Sequence, residues 1–199
     1  MKKIGICIII IGISIIIFYY IYNIYKDNEN NIKIEEYFEQ NVNEVNSDED
    51  NTNIEPKDVT RESGNKDSNN YTAILEIPKI YLKRGVVNST KNFQSIWYAI
   101  SVDKNSVYPD KVGNFILYAH SGRGNIAFFK NLYKLNINDD VIVYYKGIKY
   151  SYKIIDKYDI KKSGKAKIKA GGENKYITLI TCNQARKGYQ TVFIGKIAN

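Results

Sequence analysis

Three hydrophobic patterns follow one another along the chain. From Ile4 to Tyr22 no charge appears and isoleucine dominates. Such a run, at about 1.5 Å per residue, crosses a hydrocarbon layer of ~30 Å and predicts a membrane-spanning helix over 4–25. A secretory signal peptide would also use Lys2 and Lys3 as its charged start. The exit Phe18-Tyr19-Tyr20-Ile21-Tyr22 has no small-x-small cleavage site, so an uncleaved anchor is expected. Tyrosines form a belt of the kind found at a membrane surface, and Lys2 and Lys3 place the N-terminus in the cytoplasm; Lys26 on the far side weighs the other way. The rest of the chain is expected outside the cell.

Residues 26–70 carry few large apolar side chains among many Asn, Asp, Glu and Ser, and acidic tracts such as Asp48-Glu49-Asp50. This composition cannot bury enough apolar surface to fold alone and predicts a disordered tether. Ile34, Phe38, Val42 and Val45 recur at helical spacing and admit a short amphipathic helix within it.

From residue 71 the pattern changes to short β-branched and aromatic runs. Strands are predicted at Ala73–Ile77, Leu82–Val87, Asn114–Ala119, Asp140–Tyr145, Ile148–Asp156, Lys175–Thr181 and Thr191–Ile197. Separated by Gly, Asn and Lys-rich turns, they predict an all-β sandwich or barrel over residues 71–199. Lys146-Gly147 reads as a hairpin turn. One helix is expected at Ile126–Leu135, where Phe128, Phe129, Leu132 and Leu135 fall on one face before Asn136 and Asn138.

Charge sharpens the division. Residues 27–70 hold 13 acidic and 4 basic side chains, whereas residues 71–199 hold 22 basic and 8 acidic ones. The overall charge of +8 thus conceals an acidic tether and a strongly basic head. No nucleic-acid motif accompanies that basic surface, so its expected partners are anionic envelope polymers or lipid headgroups. Scattered solvated lysines are the plainer reading.

Two cysteines and one histidine carry the candidate chemistry. Cys7 lies in the anchor, which leaves Cys182 with no intramolecular partner; such a thiol is an inert small hydrophobe, an intermolecular link or a nucleophile. Cys182 and His120 each close a strand-like run and emerge where loops begin, the usual place for catalytic groups. A free thiol of pKa ~8.5 is only a few per cent thiolate near neutrality, so a nucleophilic cysteine needs a base or a cationic neighbour. His120 is the one imidazole in the chain that can supply it. One histidine and one cysteine cannot complete a zinc site, and Asp103, Asp110, Asp139 and Asp140 read as turn and cap residues; no cofactor or metal is expected. Gly122-Arg123-Gly124 lacks the rest of a phosphate-binding fingerprint and reads as a turn. Trp97 and Tyr98 read as core residues, with a substrate groove as the alternative.

Thr178-Leu179-Ile180-Thr181-Cys182 resembles the TLxTC signature of sortases, the membrane-anchored cysteine transpeptidases of Gram-positive surfaces. Leu75-Glu76-Ile77-Pro78-Lys79-Ile80 is similar to the entry into the first strand of their barrel, and Gly113 to Gly122 to their histidine segment. Phe128 to Leu135 resembles the helix that follows, and Val192 to Ile197 the final strand. The resemblance spans residues 73–199 in the right order. It implies a sortase-like β-barrel with short helices in which Cys182 attacks a peptide carbonyl, His120 moves the proton, and a thioester forms. It also implies an arginine at the start of the last strand to stabilise the oxyanion.

Here the chain departs from the family. Alignment of the last strand by Val192, Phe193 and Ile194 puts Gln190 at the arginine position, while Arg186 lies earlier in the loop. Arg186, swinging in from the loop, is the expected oxyanion stabiliser, and a neutral amide hydrogen bond from Gln190 is the alternative; Arg123 is a weaker third candidate. The implied substrate is a secreted protein with a C-terminal LPxTG-like motif, and the implied acceptor an amine of a cell-wall precursor or a pilin lysine. The sequence has no Asp-Pro-aromatic lid motif, which disfavours the pilin class, and Ile160–Tyr176 is short for the class B insertion. Papain-like peptidases place cysteine before histidine, the reverse of the order here. The non-enzymatic alternative is a membrane-tethered β-domain that binds anionic envelope polymer.

Overall fold

The computed structural model of the chain describes residues 2–47, 71–88, 99–167 and 173–198. It contains one long helix, α1 (Lys2–Ser47), and eight strands: β1 (Ala73–Ile77), β2 (Leu82–Asn88), β3 (Ile100–Val102), β4 (Gly113–Tyr118), β5 (Asp140–Tyr145), β6 (Ile148–Lys161), β7 (Lys175–Cys182) and β8 (Tyr189–Ile197). The strands close into a barrel in the order β1-β2-β3-β4-β7-β8-β6-β5. Closure removes the free edges that an open sheet would expose. The pairs β2–β3 and β4–β7 are parallel and the others antiparallel.

Alternation along each strand fills the interior. Leu75, Ile77, Phe115, Leu117, Tyr152, Ile177, Leu179 and Phe193 form its core, all at 0 % exposure. Gly195 sits among them because there is no room for more: a Cβ there would lie 2.7 Å from Ile177 Cγ2 and 3.3 Å from Tyr152 Cβ. A second apolar layer lies on the outer face of β4, β7 and β8, built on Ile116, Ile180, Val192 and Ile194.

Seven of the eight strands coincide with runs read from the sequence, and the Lys146-Gly147 hairpin takes positive φ at both residues (50° and 71°), as a type I′ turn requires. β3 is too short to stand out. β6 runs past Asp156, where the sequence pattern ended it. Its register shifts between Ile154 and Asp156, a bulge that reverses which side chains face inward. Tyr152 and Ile154 point into the barrel before the shift, and Tyr158 and Ile160 join the outer layer after it.

The helix expected at Ile126–Leu135 is not formed. That segment is a chain of turns with a single 3-10 turn, Leu132–Lys134. Besides Ala127 it buries Phe129, Leu132 and Leu135, at three-residue spacing that suits 3-10 rather than α geometry. The Phe129 amide donates to the His120 carbonyl at 2.9 Å, which binds the segment to the end of β4.

The apolar run does form helix, and among the described residues it is the one helix long and apolar enough to cross a membrane. The helix continues through the first half of the stretch read as a tether, as far as Ser47. Barrel packing supplies what composition alone does not: Ile34 and Tyr37 are buried against Ile74 on the outer face of β1, and Asn30 is buried where it meets Lys83 and Tyr71. Tyr37 Oη donates to the Tyr144 carbonyl at 3.2 Å and accepts from the Lys146 amide at 3.0 Å. Residues 48–70, and Trp97 with Tyr98, lie outside the described residues.

Candidate active site

β4 and β7 run parallel, with Tyr118 paired to Ile180 at the end of the ladder. Continuing that register by two residues brings His120 level with Cys182. Hydrogen bonds hold the two ends together beyond the ladder. Thr181 Oγ1 donates to the Ala119 carbonyl at 2.8 Å, and Ser121 Oγ donates to the Cys182 carbonyl. Gln184 Nε2 donates to the carbonyls of Ser121 and, at 2.8 Å, of Lys130, which joins the two loops that leave the site. His120 and Cys182 are both half-buried, and Cys182 is a free thiol.

On the other side of β7, Cys182 pairs directly with Gln190 of β8. Opposite residues of an antiparallel pair have Cα atoms about 4.5–5.5 Å apart, within reach of a glutamine amide. His120, Cys182 and Gln190 therefore form a row across three neighbouring strands. Arg186 lies elsewhere: it is exposed in the β7–β8 turn, with its guanidinium 3.5 Å from the centroid of the Tyr189 ring. Tyr189 has the alternate parity to Gln190, so this stacking draws Arg186 away from the row. Arg123 is exposed in the turn after His120.

The β7–β8 turn is held by a network the sequence did not reveal. Asn183 Oδ1 accepts from the amides of Ala185 (2.9 Å) and Arg186 (2.8 Å). Its Nδ2 donates to Asp159 Oδ2 at 2.9 Å, and Thr191 Oγ1 donates to Asp159 Oδ1 at 2.8 Å. Asp159 faces this turn because the β6 bulge reversed the alternation before it. Thr181 alone of these residues had a sequence signal, in the pentapeptide ending at Cys182. Asp159 and Ser121 had none, since their partners are 24 to 61 residues away, and the contact of Asn183 with Asp159 is equally remote in the chain.

A cavity of about 540 Å³ opens at the barrel mouth between Cys182, Ser121, Asn183, Asp159, Phe129 and Tyr133. On the outer face, the buried layer of Ile116, Ile180, Val192 and Ile194 is edged by Tyr118, Tyr158 and Ile160. At its edge, burial and a 2.7 Å hydrogen bond to Asp103 Oδ2 hold the Tyr118 phenol above the ordinary tyrosine range, so it stays protonated. A half-buried thiol, an imidazole at the same level and an amide donor opposite are the parts an acyl transfer needs.

The family profile described as "Sortase domain" matches residues 75–196. The chain belongs to the sortase family. Solved sortases share its fold. A sortase D5 transpeptidase of Clostridium perfringens aligns over 65 % of this chain and 80 % of its own, with TM-score 0.58 and 20 % identity. A lid mutant of sortase A from Corynebacterium diphtheriae aligns over 68 % and 74 %, with TM-score 0.61 and 18 % identity. Sortase C of Streptococcus pneumoniae aligns over 84 % and 89 %, with TM-score 0.60 and 15 % identity. No curated protein matches the chain in sequence. The sortase barrel with its N-terminal apolar helix is thus the architecture that the pentapeptide implied, and a sortase-type transpeptidase is the activity class.

Proposed function

We propose that this sortase cleaves a C-terminal, LPxTG-like sorting motif of secreted proteins through a Cys182 thioester and passes the acyl group to an amine. The observation that carries the reading is the row His120–Cys182–Gln190 across β4, β7 and β8. The Cys182 thiolate adds to the peptide carbonyl; collapse of the tetrahedral adduct breaks the C–N bond, and protonated His120 gives its proton to the departing amine. The acceptor amine then attacks the thioester, losing its proton to His120, and Cys182 leaves as thiolate. Water in place of the amine gives hydrolysis as the side reaction.

Of the two candidates for the oxyanion, Gln190 is favoured by its place opposite Cys182, and Arg186 is disfavoured by its stacking on Tyr189. A neutral amide is a weaker donor than a guanidinium, roughly half as strong in its hydrogen bonds. Turnover slower than that of an arginine-bearing site is the consequence. The sorting motif reaches Cys182 at the cavity that the thiol borders. The acceptor is a cell-wall precursor amine or a pilin lysine, and α1 anchors the enzyme with its N-terminus cytoplasmic and its barrel outside.

The test is mass spectrometry of the full chain in detergent with sorting-motif peptides, with and without an amine. The expected result is an acyl-enzyme and an amine-linked product, both absent in Cys182→Ala and His120→Ala. Gln190→Ala is expected to lower kcat by about 10²–10³-fold and Arg186→Ala by far less. No adduct across the library, with Cys182 still open to alkylation, would overturn the reading in favour of a membrane-tethered domain that binds anionic polymer.

A further inference from the structure

The contacts of α1 with the barrel occur in an order that sets the orientation of the catalytic end. Tyr19 Oη lies 3.4 Å from Asn125 Oδ1, in the turn after His120. Asp27 pairs with Arg84, and Asn30 Nδ2 donates to the Lys83 carbonyl at 3.3 Å, both near the start of β2. Tyr37 meets Tyr144 and Lys146, and a Cβ on Gly147 would lie 3.6 Å from Asn41. The 23 residues from Tyr19 to Asn41 cover about 33 Å of helix. The helix therefore runs the length of the barrel, and the β5–β6 hairpin is at its far end.

Strand directions put His120 and Cys182 at the other end. β6 starts at that hairpin and finishes at Lys161, where Ile160 pairs with Gln190 across from Cys182. The apolar half of α1 projects beyond this catalytic end, and its residues Ile6 to Tyr22 are exposed along the whole length. Tyr19, at the outer edge of that apolar half, already touches the loop that carries the histidine. The apolar half and the segment docked on the barrel belong to one continuous helix.

The charge at that end is of one sign. Residues 120–138 contain Arg123, Lys130 and Lys134, residues 181–190 contain Arg186 and Lys187, and neither segment has an acidic residue. All five side chains are exposed. The nearest carboxylates are engaged: Asp27 with Arg84, Glu29 with Lys26 and Lys33, and Asp159 with Asn183 and Thr191.

We infer that the barrel stands with its catalytic end on the bilayer, and that Arg123, Lys130, Lys134, Arg186 and Lys187 rest on anionic lipid headgroups. The inference builds on the reading of α1 as the anchor. Lysine and arginine near an anionic leaflet are each attracted to it, and five on one surface act together. Cys182 then works within the headgroup layer, where a peptide or acceptor still held by the membrane reaches it without leaving the surface. A soluble peptide reaches the same thiol only from the side.

Depth measurement by spin labelling tests this with no need for activity. The full chain carries Cys7→Ser and Cys182→Ala, with one new cysteine at a time, in nanodiscs of phosphatidylcholine with or without phosphatidylglycerol. Ile13→Cys reports the anchor, Asn125→Cys and Lys187→Cys the catalytic end, and Lys146→Cys the distal hairpin. With phosphatidylglycerol, labels at 125 and 187 are expected to lose accessibility to a water-soluble nickel quencher while 146 keeps it. Arg123→Glu with Lys130→Glu and Lys134→Glu is expected to restore accessibility at 125 and 187. Equal water exposure at 125, 187 and 146, with Ile13 in the hydrocarbon, would overturn the orientation. A water-exposed label at 13 would overturn the anchor reading itself. Unchanged depth after charge reversal would overturn the role of the basic side chains.

Discussion

Thr181→Val removes one hydroxyl at the point where β4 and β7 are joined beyond their ladder. Thr181 is 5 % exposed, and its Oγ1 donates to the Ala119 carbonyl at 2.8 Å. Valine keeps the shape and loses the donor, so Ala119, equally buried at 5 %, is left without this partner. A lost buried hydrogen bond that leaves an acceptor stranded costs about 1–3 kcal/mol, and the added methyl recovers a little, so about 1.5 kcal/mol is expected. At roughly 4 °C per kcal/mol for a domain of this size, the thermal midpoint falls by about 6 °C, measured by near-UV circular dichroism of the full chain in detergent. Function should suffer as well, because the same bond sets His120 level with Cys182. A small misplacement of reacting groups is costly, and about a tenfold fall in kcat/KM on a sorting peptide is expected. Gly195→Ala is the control, since it strains the barrel interior away from that join. A Thr181→Val enzyme with unchanged midpoint and kcat/KM would refute the reasoning. So would a Gly195→Ala enzyme with the same fall in kcat/KM for a similar loss of stability, because the fall would then follow from stability alone.

Further expectations concern packing and protonation. Gly195→Ala forces a Cβ to within 2.7 Å of Ile177 Cγ2 and is expected to destabilise by about 1–3 kcal/mol in a urea titration. Tyr152 is fully buried with its hydroxyl lacking a hydrogen-bond partner among the described residues, so Tyr152→Phe should raise stability by about 1 kcal/mol in the same titration. At alkaline pH the docking of α1 should weaken: burial pushes the Tyr37 phenol up to about 12, although the Lys146 amide acts against it. The folded state thus holds this proton more tightly than the unfolded chain, where tyrosine titrates near ~10. Its contribution is complete below about pH 10 and is lost as pH rises through about 12. Tyrosinate absorbance and circular dichroism followed together should show a late-titrating fraction that ionises as structure is lost; titration of every tyrosine near pH 10 in an intact fold would contradict this.

Much of the barrel was legible in the residues alone, and so was the pair that the proposed reaction uses. β1 and β5 match the apolar runs read at Ala73–Ile77 and Asp140–Tyr145 residue for residue, because a half-buried strand writes its two faces into the local pattern. Cys182 and His120 stood out through scarcity and position, each at the end of such a run. The histidine segment misled in one respect. Its apolar spacing fits an α-helix locally, yet the end of β4 and the buried triplet of Phe129, Leu132 and Leu135 impose turns.

What only the tertiary structure decided has one physical source, contacts between residues far apart in the chain. The β6 bulge slips the strand by one residue, and with it Asp159 faces the β7–β8 turn, while Tyr158 and Ile160 pack on the outer apolar layer. A local pattern ends at such a slip, so the run read from the sequence stopped at Asp156. Where Gln190 and Arg186 sit relative to Cys182 was likewise not legible in one dimension, since both lie within eight residues of it. Strand register puts Gln190 across from the thiol, and the Tyr189 ring claims the guanidinium. The polar composition of residues 26–47 likewise denies them a fold of their own, and Ile34 and Tyr37 become buried only because Ile74 is there to meet them. Sequence determined which side chains have the chemistry and which faces must leave water. The closed barrel determined which of them meet, because register and packing join residues that no local pattern relates.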